Sequence, residues 1–146
     1  MITAFFCPDA SPPRLAIPVF SSRVPAGFPS PADDYLESVL DLNALLIADP
    51  PATFMVRVTG DSMVGAGIAS GDILVVDRGL TPAHGDIVLA IVDGDFTVKR
   101  LHKRGTRIAL IPENAAYNAI ELHDGQELQV WGVVTGCVKQ FKQASR

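Results

Sequence analysis

The chain has 146 residues, carries a formal net charge of −4, and is 48% hydrophobic and 19% charged. A chain of this length can bury a core without disulfides or metals, and its composition argues against global disorder. The acidic balance disfavours proteins that grip the phosphate backbone, because these need clustered Lys and Arg. No run approaches the ~18 apolar residues of a membrane-spanning helix, and the beginning of the chain lacks the basic region of a signal peptide.

The two cysteines, Cys7 and Cys137, are too few for a disulfide framework and form no CxxC pair of the kind that binds zinc. We therefore expect reduced thiols in a cytoplasmic protein, with no metal or other cofactor. The sequence has no internal repeat and no low-complexity tract, so one folded domain is the simplest interpretation.

Proline is concentrated at the beginning of the chain, where residues 1–31 hold 7 of the 11 prolines. Each proline fixes φ and removes a backbone donor, so this segment is expected to be an extended arm with little structure of its own. Its apolar stretch LAIPVFSS (15–22) indicates that the arm docks on an apolar surface. Residues 32–146 are expected to form the folded domain.

The segment after the arm, SPADDYLESVLDLNALLIADPP (30–51), predicts a short helix. Ser30 or Asp33 could cap it. Four apolar residues fall at helical spacing: Tyr35, Leu36, Val39 and Leu40. DLNALLI (41–47) could add a turn or two before Pro50 and Pro51 end the helix.

From Thr53 onward the sequence predicts short β-strands joined by turn residues. The predicted strands are 53–59, 73–77, 86–92, 95–101, 107–112 and 128–141. Gly94, in VDGDF, marks a tight hairpin. Short strands at this spacing, without long helices between them, predict a mostly β fold of antiparallel sheets rolled into a barrel or sandwich.

Ser62, in VTGDSMVG (58–65), follows the first of these strands and is a candidate nucleophile. A nucleophilic serine needs a base, which is most often histidine. The three histidines are better interpreted as surface residues: His84, His102 and His123. The GxSxG pattern is also absent, because Val64 stands where the second glycine would be.

A neutral lysine is the other possible base, provided that apolar surroundings lower its pKa from the usual value. Lys99 fits this requirement, because strand alternation in DFTVKRL places it on one face with Thr97 and Leu101. Lys139 and Lys142 are rivals in a C-terminal stretch that is more exposed. Taken alone, a lysine on a solvated strand face is the commoner interpretation of Lys99.

Further motifs resemble the UmuD and LexA family of self-cleaving proteins. The family's Ser/Lys pattern is similar to GDSM after a strand, followed by Lys99 in FTVKRL at a distance of 37 residues from Ser62. Three further segments resemble UmuD: GIASGDILVVD, LIPENAAY and VWGVVTGCVK. The resemblance covers about residues 18–141. It implies a LexA-like C-terminal peptidase fold of antiparallel sheets, preceded by an extended N-terminal arm and a short helix. A proline-rich arm stands here where LexA-type repressors have a helix-turn-helix domain, which favours a UmuD-like protein.

The resemblance implies a role for each residue of the site. Ser62 would be the nucleophile and Lys99 the general base, and the bond cut would join Ala26 to Gly27. This Ala-Gly pair is the one found in LexA, whereas UmuD proteins commonly have Cys-Gly. Backbone N–H groups around Ser62 would bind the oxyanion, and Met63 would pack beside Lys99.

The resemblance also implies partners and a pathway. The protein would be a cytoplasmic homodimer of the SOS response, with no membrane association and no direct sequence-specific DNA binding. A RecA filament on single-stranded DNA would stimulate cleavage. The product, residues 27–146, would join a UmuC-type Y-family polymerase for error-prone translesion synthesis.

Three other interpretations remain open. A type I signal peptidase shares the Ser/Lys chemistry but normally needs a membrane anchor. A LexA-like or phage repressor fragment would require a DNA-binding domain upstream. A non-enzymatic accessory subunit would keep the site without cutting its arm. The basic run KRLHKRGTR (99–107) is interpreted as a solvated hairpin, because no aromatic platform for nucleic-acid bases accompanies it.

Overall fold

The computed structural model describes residues 2–20, 36–123, 126 and 128–142, except for the side chains of 19–20 and 36–38. The described strands are β1 (Ile2–Phe6), β2 (Ala16–Phe20), β3 (Leu36–Asp41), β4 (Thr53–Val58), β5 (Ile73–Asp77), β6 (Ile87–Val92), β7 (Asp95–Arg104), β8 (Arg107–Ile111), β9 (Ile120–Glu121) and β10 (Leu128–Val138). Helix α1 spans Leu42–Leu46, and single 3-10 turns lie at Pro50–Ala52 and Val64–Ala66. No helix in these ranges is long and apolar enough to cross a membrane.

The predicted mostly β fold is confirmed, and each of the six strands predicted after the helix is present. The strand over residues 73–77 has the predicted ends, whereas β7 continues to Arg104 because its pairing with β8 extends to Arg107. The predicted hairpin at Gly94 joins β6 to β7. Asp93 and Gly94 have φ angles of 49° and 86°, as the two central residues of a type I′ turn require.

The prediction of a helix across residues 36–41 is wrong. Leu36–Asp41 forms strand β3, which pairs antiparallel with β2, and α1 begins only at Leu42. Asp41 ends the strand and caps the helix, since its Oδ1 accepts a 3.0 Å hydrogen bond from the backbone N–H of Asn43. The residues Val39 and Leu40 are therefore paired with β2 instead of lying on a helix face. The other predicted helix positions lie outside the described residues: Ser30, Asp33 and Tyr35.

The proline-rich arm contributes two strands to the structure. Strand β1 pairs antiparallel with β4, with Phe5 opposite Val56 and Phe6 opposite Met55. Strand β2 pairs with β3 in a separate sheet. The arm is thus more regular than its prolines indicate, because an edge strand tolerates a residue that cannot donate a ladder hydrogen bond.

The larger sheet has the strand order β1-β4-β5-β10-β6-β7-β8-β9 among the residues described, and its neighbouring strands are antiparallel. Strand β10 lies in its centre and pairs with both β5 and β6. It therefore joins the group β1-β4-β5 to the group β6-β7-β8-β9. Ser62 follows β4 of the first group in sequence, and Lys99 lies in β7 of the second group.

Two clusters of apolar side chains form the core on the two faces of the central strands. Val88 and Leu89, adjacent in β6, belong to different clusters, because alternate residues of a strand face opposite sides. The larger cluster contains Phe54, Val56, Val58, Met63, Ile68, Leu74, Val76 and Leu89. The smaller contains Val88, Ala90, Leu101 and Leu110. Because Met63 is 3% exposed and part of the larger cluster, it anchors the turn that carries Ser62.

Gly132 in β10 lies where two strands approach too closely for a side chain. A Cβ there would lie 2.6 Å from Val76 Cγ1 and 2.9 Å from the backbone oxygen of Asp77. We expect Gly132→Ala to lower the free energy of unfolding by about 1–3 kcal/mol, as overpacking does. Urea denaturation measures the change. Gly136→Ala is the matched control in the same strand, because its Cβ would meet no described atom closer than 3.5 Å. Equal stability of the two variants would contradict the prediction.

Candidate active site

Ser62 and Lys99 meet in the structure although 37 residues separate them in sequence, and Lys99 Nζ lies 3.1 Å from Ser62 Oγ. Ser62 lies in the turn after β4, and Lys99 lies in β7 opposite Val88. Both side chains are half-buried. The two residues predicted as nucleophile and base are therefore within hydrogen-bonding distance, while their catalytic roles stay a prediction.

The Lys99 amine has two further partners, Thr97 Oγ1 at 2.8 Å and the backbone oxygen of Val98 at 3.1 Å. Burial disfavours the ammonium form and lowers the pKa of Lys99 from its usual value. A neutral amine has two N–H groups and one lone pair. It can donate to Thr97 and Val98 while its lone pair accepts the hydroxyl proton of Ser62. The contacts therefore suit a proton acceptor, and strand alternation already placed Thr97 on the face of Lys99.

The backbone of the Ser62 turn is held by the segment 112–117, which follows β8. The N–H of Glu113 donates to the backbone oxygen of Ser62 at 2.9 Å, and the N–H of Gly65 donates to the backbone oxygen of Glu113 at 2.8 Å. A Cβ on Gly65 would lie 2.5 Å from that Glu113 oxygen, so the approach requires glycine. Sequence reasoning gave the PENAAY segment no structural role.

Asp61 is fixed by the same segment. Tyr117 Oη donates a hydrogen bond to the carboxylate of Asp61, and Asn114 Nδ2 donates to its backbone oxygen at 2.8 Å. The bond to the carboxylate raises the pKa of Tyr117. Asp61 thus has the contacts of a residue that holds the turn.

An ion pair connects the strand of the lysine to the segment that holds the serine. Arg100 Nε donates to Glu113 Oε1, and Arg100 Nη1 donates to the backbone oxygen of Gly85 at 2.7 Å. Arg100 follows Lys99, and Glu113 bonds to Ser62. The pair therefore links the two halves of the site. No local sequence pattern indicates this pair: it follows from the β7–β8 register, in which Arg100 pairs with Ile111, two residues before Glu113.

The other residues considered as bases have different contacts. The rings of His84 and His102 meet edge to face, with centroids 5.0 Å apart. Lys139 forms an ion pair with the buried Asp72. Two more candidates are exposed: His123 and Lys142. Lys99 is thus the lysine that the structure brings to Ser62.

Two further predictions concern the surface. The basic run 99–107 forms the turn end of the β7–β8 hairpin, as predicted, and Arg107, beside the turn, forms an ion pair with Glu121. Cys7 and Cys137 are both exposed and free, in agreement with the prediction of thiols. The predicted cleavage site, Ala26–Gly27, lies outside the described residues, in the connection between β2 and β3.

Comparison with known proteins agrees with this fold. The profile of the Peptidase S24-like family matches residues 18–135, which is most of the chain. The chain belongs to the Peptidase S24-like family. It therefore carries a serine peptidase domain of the self-cleaving kind.

The similar proteins narrow the class. Protein SamA of Salmonella typhimurium is 52% identical over 135 residues, which cover 92% of this chain and 94% of SamA. Protein ImpA of Escherichia coli is 48% identical over 86% of each chain, and protein MucA of the same organism is 44% identical over 82% of each. The LexA repressor of Syntrophotalea carbinolica is 43% identical over 62% of this chain and 45% of its own length. The resemblance to UmuD-like SOS mutagenesis proteins is thereby confirmed.

Proposed function

We propose that the chain cuts itself between Ala26 and Gly27, with Ser62 as the nucleophile and Lys99 as the general base. The observation that carries the proposal is the 3.1 Å contact between Lys99 Nζ and Ser62 Oγ, at a lysine whose pKa burial lowers. A poised base within hydrogen-bonding distance of the hydroxyl is what activation of a serine requires.

The proposed reaction has two steps, acylation of Ser62 and hydrolysis of the acyl-enzyme. Neutral Lys99 takes the hydroxyl proton as Ser62 Oγ bonds to the carbonyl carbon of Ala26. The C–N bond then breaks, and the protonated amine gives its proton to the leaving nitrogen of Gly27. Water then gives a proton to Lys99 and attacks the ester carbonyl of Ala26, and the protonated amine returns that proton to Ser62 Oγ as the C–O bond breaks. The backbone N–H of Ser62 is one expected donor to the oxyanion.

The position of the Ala26–Gly27 bond in the chain supports control of the cleavage rate by access of this bond to Ser62. Strand β2 ends at Phe20 and strand β3 begins at Leu36, so the bond to be cut lies in the connection between these two paired strands. The substrate is tethered, and the rate depends on how often this bond reaches Ser62. A RecA filament on single-stranded DNA would act by raising that fraction.

The product, residues 27–146, would act as a homodimer that joins a UmuC-type polymerase in error-prone translesion synthesis. The similarity to SamA, ImpA and MucA over most of each chain supports this role. Co-purification with a UmuC-type polymerase tests it. The product should be retained by the polymerase more strongly than the uncut Ser62→Ala chain.

The intact mass of the purified chain, followed against time from pH 7 to pH 10, tests the cleavage. We expect a fragment that begins at Gly27 and forms faster at high pH, because a larger share of Lys99 is then neutral. The Ser62→Ala chain should stay whole at every pH. A cut that persists in Ser62→Ala would contradict the assignment of the nucleophile.

Addition of RecA, single-stranded DNA and nucleotide extends the same experiment. Cleavage that appears only in this mixture would mean that the activator is obligatory. A chain that stays whole under all these conditions would refute self-cleavage and favour a non-cleaving accessory subunit.

A further inference from the structure

Strand β1 covers an edge of the main sheet that would otherwise be open. It is the outermost strand and pairs with β4 alone. An uncovered edge strand presents a row of backbone N–H and C=O groups that can pair with another polypeptide. Apart from β1 and the separate β2, every described strand belongs to residues 36–138. The edge and its cover thus lie on opposite sides of the Ala26–Gly27 bond.

Phe5 of β1 also covers a group of aromatic rings. Its ring centroid lies 6.3 Å from that of Phe54 and 5.5 Å from that of Phe96. Trp131 meets both of these rings edge to face, at 6.3 and 5.1 Å. Phe5 itself remains 50% exposed, so it lies over the group without being enclosed by it. Loss of Phe5 would leave the rings of Phe54, Phe96 and Trp131 uncovered beside an unpaired strand edge.

Polar features of this surface indicate what else a ligand there should carry. The exposed Arg78 stacks on Trp131 at 5.1 Å, and Arg57 lies 6.0 Å from the centre of the Phe6 ring. Trp131 Nε1 is buried and has no hydrogen-bond partner among the residues described. Cys7, Arg78 and Trp131 line one cavity of about 230 Å³. A carboxylate at the position of Cys7 would therefore share a cavity with the Arg78 guanidinium.

Cleavage changes how β1 is held. In the whole chain β1 is tethered, with an effective concentration on the order of mM for a flexible link. After cleavage at Ala26–Gly27, β1 and β2 belong to a separate fragment that is held only by noncovalent contacts. At micromolar concentrations a short strand whose two phenylalanines are half-exposed competes poorly for the edge.

We propose that the β4 edge, together with Phe54, Phe96 and Trp131, is a docking site for an extended segment of a partner protein, and that β1 masks it until the arm is cut. The partner segment adds a strand antiparallel to β4. It carries an aromatic side chain where Phe5 lies and an acidic side chain near Arg78. The masking rests on the proposed self-cleavage, whereas the docking site itself does not.

The test separates the docking site from self-cleavage by cutting the arm with an external protease. A recognition sequence for a site-specific protease replaces residues 22–28 in a Ser62→Ala chain, so the cut needs no activity of the chain itself. Amide hydrogen exchange of Thr53–Val58 and the emission of Trp131 are recorded before and after the cut. We expect exchange of β4 amides to increase and the Trp131 emission to shift to the red, with the main thermal transition retained.

The probe is a fluorescein-labelled peptide, ITAFFEPD, which is residues 2–9 with Cys7→Glu. Fluorescence anisotropy should give a dissociation constant at least about tenfold lower for the cut chain than for the uncut one, because the tethered β1 competes. A peptide with Phe5→Ala in addition should bind about tenfold more weakly or worse. A peptide with Cys7→Ser should lose several-fold, and Arg78→Gln in the protein should remove that difference.

Three results would overturn the proposal. Equal binding to cut and uncut chains would mean that β1 masks nothing. Absence of binding, with β4 amides still protected after the cut, would mean that the fragment stays in place. Protection of β4 together with a doubled mass would mean that a second copy of the chain occupies the edge. None of these results bears on self-cleavage, which the intact-mass experiment decides separately.

Discussion

Replacement of Lys99 by alanine should slow self-cleavage by about 10²–10⁴-fold, the range that a general base contributes. Burial lowers the pKa of Lys99 from the ordinary lysine value of 10.5, so the neutral amine is more abundant at a given pH than in an exposed lysine. The native rate should rise with pH up to this lowered pKa and then level off. Lys99→Ala should be slow throughout and should lose the rise.

First-order rates from intact mass across pH 7–11 measure both effects. Lys103→Ala is the control, because Lys103 is an exposed lysine of the same strand. It should keep the native rate and the native pH midpoint. A Lys99→Ala chain that keeps the pH-dependent rise would show that another group takes the proton.

The same lowered pKa has a consequence for stability with a defined sign. Between the folded pKa of Lys99 and the unfolded value of 10.5, the unfolded chain binds more protons than the folded chain. In this pH window Lys99 therefore makes the free energy of unfolding increase as the pH rises. Lys99→Met should be more stable than the native chain at neutral pH, and urea denaturation should find that advantage shrinking as pH approaches the unfolded value.

Replacement of Arg100 by methionine should reduce the plateau rate of self-cleavage by about 10–100-fold, because displacement of reacting groups by about 1 Å can cost two orders of magnitude. Arg100 pairs with Glu113, whose backbone N–H holds the Ser62 turn. Without the ion pair, β7, which carries Lys99, is no longer bonded through Arg100 to Glu113, whose backbone holds the Ser62 turn. The plateau at high pH is the quantity to compare, since Lys99 is neutral there and its protonation no longer limits the rate.

Two further variants make this prediction specific. Arg100→Lys keeps the charge and should restore most of the plateau rate. Arg107→Met breaks the ion pair between Arg107 and Glu121, whose side chains are 58% exposed for Arg107 and 40% exposed for Glu121. This variant should leave the rate unchanged. Equal plateau rates for Arg100→Met and the native chain would mean that Arg100 does not position the site.

How far the sequence predicts the fold differs between elements. Residues 73–77 are flanked by turn residues and have four buried side chains, so local composition suffices to define the strand. Residues 36–41 fit helical spacing, and the pairing with β2 overrides this local pattern in favour of a strand. Strand β1 depends on β4, which is about 50 residues away, and no local pattern encodes such a pairing.

The same distinction applies to the site. Ser62 and Lys99 follow from residue chemistry and from the resemblance, because each needs only its own neighbours and its type. The roles of Glu113 and Arg100 follow from the β7–β8 register and from the path of the segment after β8. Both roles depend on tertiary contacts, which cannot be deduced from a single sequence.

The central position of β10 ties the candidate active site to a strand that carries neither of its two residues. Ser62 follows β4 in the strand group β1-β4-β5, and Lys99 lies in β7 of the group β6-β7-β8-β9. Strand β10 pairs with β5 on one side and with β6 on the other, so it fixes the two groups relative to each other. The distance between the predicted nucleophile and its base is therefore set in part by a strand far from both in the sequence.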